Sequence, residues 1–310
     1  MDPAARAWFD RRTSRASDWP TADLLAAKGN QRVSVVVPAR DEESTVGDVV
    51  RQVRDDLVTA IPLVDEVVVM DSLSTDDTAY AARSAGATVH SVADVRPDLG
   101  VLPGKGEALW KSLFVTSGDL VVFIDADLTD WGTHFVSGLL GPLLTDPGVV
   151  LAKGFYDRVL DLGTGVAVEG GRVTELVARP WLALHRPELA AVVQPLAGEW
   201  AVRRDHFASL PVPTGYGVEI ATLLDTASRR GTEAIAQVDL GNRAHRHQHL
   251  HDLGAMATEL LAVADRRRGG AAVEEVVLPR MQRDRQWVER TVPATERPPF
   301  AEVAAATARG

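Results

Sequence analysis

Between residues 33 and 155 the apolar positions of the chain switch between two periods. Val33-Ser34-Val35-Val36-Val37 is a short run that Pro38 should end, and residues 65–70 and 120–124 repeat the pattern. Unbroken β-branched runs of this length read as strands buried on both faces. Between the first two runs, Val46, Val49, Val50, Val53 and Leu57 fall at the spacing of one helical face. Ser74 or Thr75 can cap a second helix reaching about Gly86, ahead of a short third strand at 87–90. Strand, helix, strand, helix, strand in this order predicts a parallel, right-handed, Rossmann-like α/β sheet. The run at 120–124 leads straight into Asp125-Ala126-Asp127. Ligand sites in such sheets lie just beyond the carboxyl ends of the strands. Alternate side chains of an extended chain point the same way, so both carboxylates can face one hard cation, Mg²⁺ or Mn²⁺. The same triplet also suits a plain strand end that caps a helix.

The later half is less regular. A helix is expected over 134–144 and a strand over 149–155, the latter carrying Lys153. Gly170-Gly171-Arg172-Val173-Thr174 offers an arginine and a hydroxyl at a helix entrance, which reads either as an anion seat or as a cap with a solvated arginine. Gly215-Tyr216-Gly217-Val218-Glu219 is a tight turn before a helix through Leu223 and Leu224, with Glu219 facing a cleft or serving as a first-turn acid. In Gly104-Lys105-Gly106 the glycines let backbone approach a phosphate or ribose beside a cation; a helix start explains the same residues. A strand at 234–240 precedes His245, His247, His249 and His251 at every second position, and 252–265 is an amphipathic helix. The expected organisation is an arm over 1–31 that packs on the main domain or a partner subunit, an α/β half over 32–150, a second half over 151–265, and a loosely held or intersubunit tail over 266–310.

Composition narrows the function. The chain has 310 residues, enough for one large domain or two small ones, and is 45% hydrophobic and 25% charged. A formal net charge of −10 argues against a general nucleic-acid binder. Cysteine is absent, which removes disulfides, thiolate metal sites and a cysteine nucleophile. The amino terminus has no secretory apolar core, and no apolar run approaches the roughly 20 residues of a membrane span, so a cytoplasmic protein is expected. The Gly-x-Gly-x-x-Gly fingerprint does not follow Val37, so NAD binding is not expected.

Taken together, Val35-Val36-Val37-Pro38-Ala39 with Glu42-Glu43, Asp71-Ser72 with Ser74-Thr75-Asp76-Asp77-Thr78, and Asp125-Ala126-Asp127 resemble a GT-A-type glycosyltransferase using a nucleotide sugar. The segments 103–110, 170–180, 215–220 and 243–246 are similar to those of the actinobacterial glucosyl-3-phosphoglycerate synthases, and the likeness covers roughly residues 20–260 in order. The resemblance implies a GT-A-type sheet with a carboxyl-terminal acceptor-binding part, a homodimer, and retaining transfer of glucose from UDP-glucose to D-3-phosphoglycerate aided by Mg²⁺, or Mn²⁺ in its place. Carried over by position, Pro38, Ala39, Arg40, Glu42, Ser72, Lys105, Asp125 and Ala126 would bind the donor. Asp127 and His245 would hold the metal. Gly171, Arg172, Thr174 and Arg243 would receive the acceptor, with Glu219, Tyr216 and Asp125 at the reacting groups. Three departures stand out: Arg40-Asp41 in place of an apolar residue and Asn, Leu73 in place of Gly, and His247 in place of Asn. Nearby alternatives are a GDP-mannose-using mannosyl-3-phosphoglycerate synthase, another small anionic acceptor, and a non-catalytic nucleotide-sugar-binding subunit.

Overall fold

The computed structural model describes residues 2–161, 166–168, 171–244, 250–281 and 285–307. In chain order its elements are α1 (Pro3–Arg12), β1 (Thr13–Arg15), α2 (Thr21–Lys28), β2 (Val33–Ala39), α3 (Val46–Val53), β3 (Glu66–Asp71), α4 (Thr78–Ser84), β4 (Thr88–Ser91), α5 (Lys105–Ser112), β5 (Leu120–Phe123), α6 (His134–Thr145) and β6 (Leu151–Asp161). They continue with β7 (Val166–Val168), α7 (Arg179–His185), β8 (Trp200–Arg203), α8 (Arg204–Ala208), β9 (Val212–Pro213), α9 (Val218–Arg230), β10 (Ile235–Ala244), α10 (Leu250–Arg266), β11 (Glu275–Met281), β12 (Trp287–Pro293), β13 (Glu296–Arg297) and α11 (Phe300–Thr307).

Among the described residues, nine strands form one sheet in the order β1-β10-β6-β8-β5-β2-β3-β4, with β7 paired to β6. β4, β3, β2 and β5 are parallel, as expected from the strand–helix alternation. Short β8 runs antiparallel between β5 and β6, and the parallel pairs β6–β10 and β10–β1 complete the other flank. The sheet therefore continues through both halves of the sequence.

The unbroken apolar runs are explained by helices on both faces. On one side, Val35, Val37, Leu120, Val122 and Ile124 join Val46 and Val49 of α3 and Leu139 and Leu140 of α6 in a single cluster. On the other, Val36, Val121 and Phe123 meet Leu109 of α5, Ile220 of α9, Trp200 and Phe207. Each such side chain taken out of water contributes about 1.5–3 kcal/mol. Pro38 does not end the second strand as its sequence suggested. It lies opposite Met70 within β2, which runs on to Ala39, because a proline is tolerated near a strand end where its missing donor is not needed.

Segments near each end of the described chain are built into the body. Trp8 is buried, and its indole donates to the Thr232 and Ile235 carbonyls at 3.0 and 3.1 Å, which seats β1 on the sheet edge beside β10. Part of the tail is not loosely held: β13 pairs with β9, the Trp110 indole donates to the Pro298 carbonyl at 2.9 Å, and Phe300 stacks edge-on to Phe114. The β11–β12 hairpin is the exposed part of that tail. Among the described residues no helix is long and apolar enough to cross a membrane.

Candidate active site

The carboxyl ends of β2, β3 and β5 lie side by side. Ala39 is opposite Asp71, the Ser72 amide donates to the Ala39 carbonyl at 2.8 Å, and the Ile124 amide donates to the Val36 carbonyl at 3.2 Å. Pro38, Ala39, Arg40, Glu42, Ser72, Asp125, Ala126 and Asp127 thus border one cleft of about 970 Å³. The two acidic loops above these strands clasp each other. Asp41 accepts from the Thr75 amide at 2.7 Å, the Glu42 amide donates to Thr78 Oγ1 at 2.7 Å, and the Asp77 amide donates to Glu43 at 3.0 Å. Two of the departures from the family pattern sit here, Asp41 with φ +56° and Leu73 with φ +62°. Asn and Gly reach that left-handed region cheaply, which is the physical reason for the more usual residues at both positions.

Lys105 stands at the centre of the site. A Cβ on Gly106 would overlap the Pro213 carbonyl oxygen, and one on Gly104, whose φ is +118°, would overlap the Thr214–Gly215 backbone. The close approach that these glycines permit is therefore to residues 213–215, where the Gly106 and Glu107 amides donate to the Gly215 and Thr214 carbonyls at 3.1 and 2.8 Å. That contact seats the first turn of α5 so that Lys105 Nζ reaches Asp125 Oδ1 at 2.6 Å and Glu219 Oε1 at 2.9 Å. Burial works against this ammonium, yet the two carboxylates outweigh it and hold its pKa well above the ordinary lysine value. Asp125 leans on Gly198, where any side chain would collide with its carboxylate. Glu219 is buried in the first turn of α9.

A second ammonium, Lys153, is buried nearby and donates to the Ala197 carbonyl at 2.8 Å. Desolvation lowers it to about 8, although Glu219 pulls the other way. Burial also raises the Tyr216 hydroxyl and the Glu259 carboxyl above their ordinary values. Glu259 accepts the Gly217 amide at 3.0 Å and so braces the entry to α9.

Gly171, Arg172 and Thr174 line the same cleft, at the start of the helical segment that precedes α7. Arg243 lies near the end of β10, its backbone opposite Arg158. His245, His247 and His249, and with them the expected pairing of Asp127 with His245, lie outside the described residues. Among the described residues no three His, Asp or Glu side chains converge as a metal cage. One cleft carboxylate still suits Mg²⁺ or Mn²⁺, because such cations commonly take one or two protein carboxylates and complete their shell from substrate phosphates and water. The sequence reading missed Tyr156, Asp252, Glu259 and residues 290–293 as cleft lining. Glu259 could have been found: it sits three after Met256 and four before Val263, an acid on the apolar face of α10.

Comparison with known proteins agrees with this arrangement. Residues 34–161 match the profile of Glycosyl transferase family 2. The glucosyl-3-phosphoglycerate synthase of Mycobacterium tuberculosis is 49% identical over 292 residues, covering 91% of this chain and 89% of the relative. That of Petrotoga mobilis is 39% identical over 289 residues, covering 90% and 89%. The crystal structure of the M. tuberculosis synthase with Mn²⁺, UDP-glucose and phosphoglyceric acid superposes with a TM-score of 0.82 at 48% identity, covering 92% of this chain and 95% of that one. A second structure of that synthase, with phosphoglyceric acid, gives 0.84 at 46% identity over 94% and 98%. The fold is accordingly the GT-A type. With a continuous likeness over nine-tenths of its length, joined to a cleft assembled from the same ordered segments, the chain belongs to the glucosyl-3-phosphoglycerate synthase family.

Proposed function

We propose that the protein transfers glucose from UDP-glucose to D-3-phosphoglycerate, with retention at the anomeric carbon and a divalent cation as cofactor. The observation that carries this reading is one cleft in which Lys105 ties Asp125, at the end of the central strand, to Glu219, at the entrance of α9, with Arg172 and Thr174 in the same lining. In this reading Pro38, Ala39, Arg40, Glu42, Ser72, Ala126 and Lys105 bind the uridine diphosphate moiety, and Asp125 borders the sugar. Gly171, Arg172, Thr174 and Arg243 hold the acceptor. Its phosphate and carboxylate call for charge-assisted, bidentate donors, which an arginine supplies. Residues 32–150 mainly serve the donor and residues 151–265 the acceptor.

Asp127 and His245 would hold the cation against the diphosphate. When bound, it neutralises the charge that grows on the departing diphosphate. Asp125 and Glu219 are both engaged by Lys105, and a carboxylate held in such a pair is a poor nucleophile. That favours a front-face displacement over a covalent glycosyl-enzyme. The acceptor hydroxyl oxygen bonds to the anomeric carbon as the bond to the β-phosphate oxygen breaks, and the hydroxyl proton passes to that leaving oxygen. Tyr216 and Glu219 orient the sugar and the hydroxyl, so the work of the site is chiefly alignment. The functional form is a homodimer, a reading supported by the exposed apolar side chains of the β11–β12 hairpin.

The test is a matrix of UDP-glucose, GDP-mannose and ADP-glucose against 3-phosphoglycerate and other small anions, following nucleotide diphosphate release and the anomeric coupling of the product. UDP release with 3-phosphoglycerate and an α-linked product is expected. Preferential turnover of GDP-mannose, or tight donor binding without turnover, would overturn it.

A further inference from the structure

Beside the cleft lies a buried ion cluster that the reading above leaves unused. Glu107, two residues after Lys105, is only 1% exposed, and so buried a carboxylate is costly unless it is paired and hydrogen-bonded. Its partner arrives from the far end of the chain. Arg297, in β13, donates from Nε to Glu107 Oε2 and from Nη2 to Oε1, each at 2.7 Å, the two-pronged geometry that only a guanidinium supplies. The same guanidinium lies over Trp110, 5.2 Å from the ring centroid, and donates to the Leu99 and Gly100 carbonyls at 3.0 and 3.4 Å. Lys111 donates to the Gly100 carbonyl at 2.7 Å, and the Leu102 amide reaches Glu107 at 3.3 Å.

The stretch pinned in this way is a wall of the cleft, since Val101, Leu102, Pro103 and Gly104 all line it and the next residue is Lys105. The opposite support of Lys105 is fastened by the same segment: Arg297 is paired with Val212, and the Thr214 amide donates to the Thr295 carbonyl at 3.0 Å. The two backbone stretches that set the position of Lys105, residues 99–104 and 213–215, are thus both anchored to residues 295–297.

We infer that Arg297 is a positioning residue for the donor side of the cleft. Through Glu107 and the 99–104 wall it fixes where Lys105 emerges, without touching either substrate. This rests on the reading of the cleft as a nucleotide-sugar site. Arg297→Met alone would strip buried Glu107 of its two-pronged partner and leave it against Lys111 at 3.5 Å, so the informative variant is the double Glu107→Gln/Arg297→Met, which removes one charge of each sign and leaves Lys111 on the Val92 and Gly100 carbonyls. The double variant is expected to unfold within a few degrees of the parent while its KM for UDP-glucose rises about tenfold, since a misplacement of about 1 Å suffices for such a loss. Its KM for phosphoglycerate should stay within about twofold, and its calorimetric affinity for UDP should fall in step with the donor KM. Arg297→Lys, which keeps the charge but not the fork, should lie between the two. Parental donor KM and UDP affinity in the double variant, or an equal rise of both KM values, overturns the inference. If the parent binds UDP but does not turn over UDP-glucose, the proposed function falls instead, and the UDP affinities still decide the role of Arg297.

Discussion

Asp127 contributes a hard oxygen at the end of the central strand, and its replacement should remove catalysis without removing the fold. Asp127→Ala is expected to lower turnover by about two orders of magnitude or more at unchanged melting temperature, checked by UDP release with saturating Mg²⁺; near-parental turnover rejects the ligand role. Lys153 allows a test through pH. Buried among protein atoms, its amine is depressed from 10.5 to about 8. Between those values the unfolded chain holds a proton that the folded chain releases, so this group adds stability as pH rises through that window and imposes its full burden below about 8. Lys153→Met removes the burden and loses a hydrogen bond to Ala197 worth about 1 kcal/mol. The stability of Lys153→Met relative to the parent should therefore decline by on the order of 3 kcal/mol between pH 7 and pH 10.5. Urea unfolding at both pH values measures it, and a constant difference would show that the amine is not depressed. Leu73 is simpler: its left-handed backbone costs about 1 kcal/mol, while glycine's extra unfolded freedom costs about 0.5–1 kcal/mol. Leu73→Gly should be neutral within about 0.5 kcal/mol by urea unfolding, and a loss above about 1 kcal/mol would show that Leu73 packs more than its half-exposed side chain suggests.

At the scale of elements, what seats α5 decides where the chemistry stands. Gly106→Ala would drive a methyl into the Pro213 carbonyl, which is backbone and cannot swing aside. The helix must then shift, carrying Lys105 away from Asp125 and Glu219. A loss of about 1–3 kcal/mol in stability is expected, with a fall in kcat/KM of about tenfold or more, read by thermal unfolding and steady-state kinetics; parental values for both would mean that the helix start has room to spare. The sequence spoke clearly wherever burial is two-sided and local. β2, β3, β5, α3 and α6 were legible as unbroken runs or helical spacing because each packs against neighbours on both faces or along one stripe. β8, only Trp200–Arg203, was not, since four residues carry no period of their own and its place between β5 and β6 is fixed by partners far away in the chain. The candidate site divides in the same way. Asp125, Asp127 and Arg172 stood out as motifs, but that Lys105 joins two carboxylates 20 and 114 residues downstream is a property of the assembled sheet. The ordering of the tail was hidden for the same reason, because Arg297 answers a carboxylate 190 residues earlier.

The whole molecule leaves one element poorly accounted for by its own chain. A two-stranded ribbon is marginal by itself, yet β11 and β12 carry Val277, Met281, Trp287 and Val288 largely open to water, with Trp287 60% exposed. The same hairpin reaches the cleft, where Arg290, Thr291, Val292 and Pro293 line one side and Arg290 pairs with Asp252 of α10 at 2.8 Å. In the proposed homodimer a second copy covers the ribbon, and a two-fold interface does so with the same patch from each subunit. A charge placed there meets its own copy across the axis or is buried without a partner, and either costs several kcal/mol. Trp287→Asp should therefore shift the protein from dimer to monomer in sedimentation equilibrium at micromolar concentration. Since the ribbon that loses its cover also carries part of the cleft wall, the monomer should bind substrate more weakly, raising KM more than it lowers kcat. A parent that sediments as a monomer would refute the dimer. A Trp287→Asp protein that is monomeric but kinetically unchanged would keep the dimer and refute its link to the cleft.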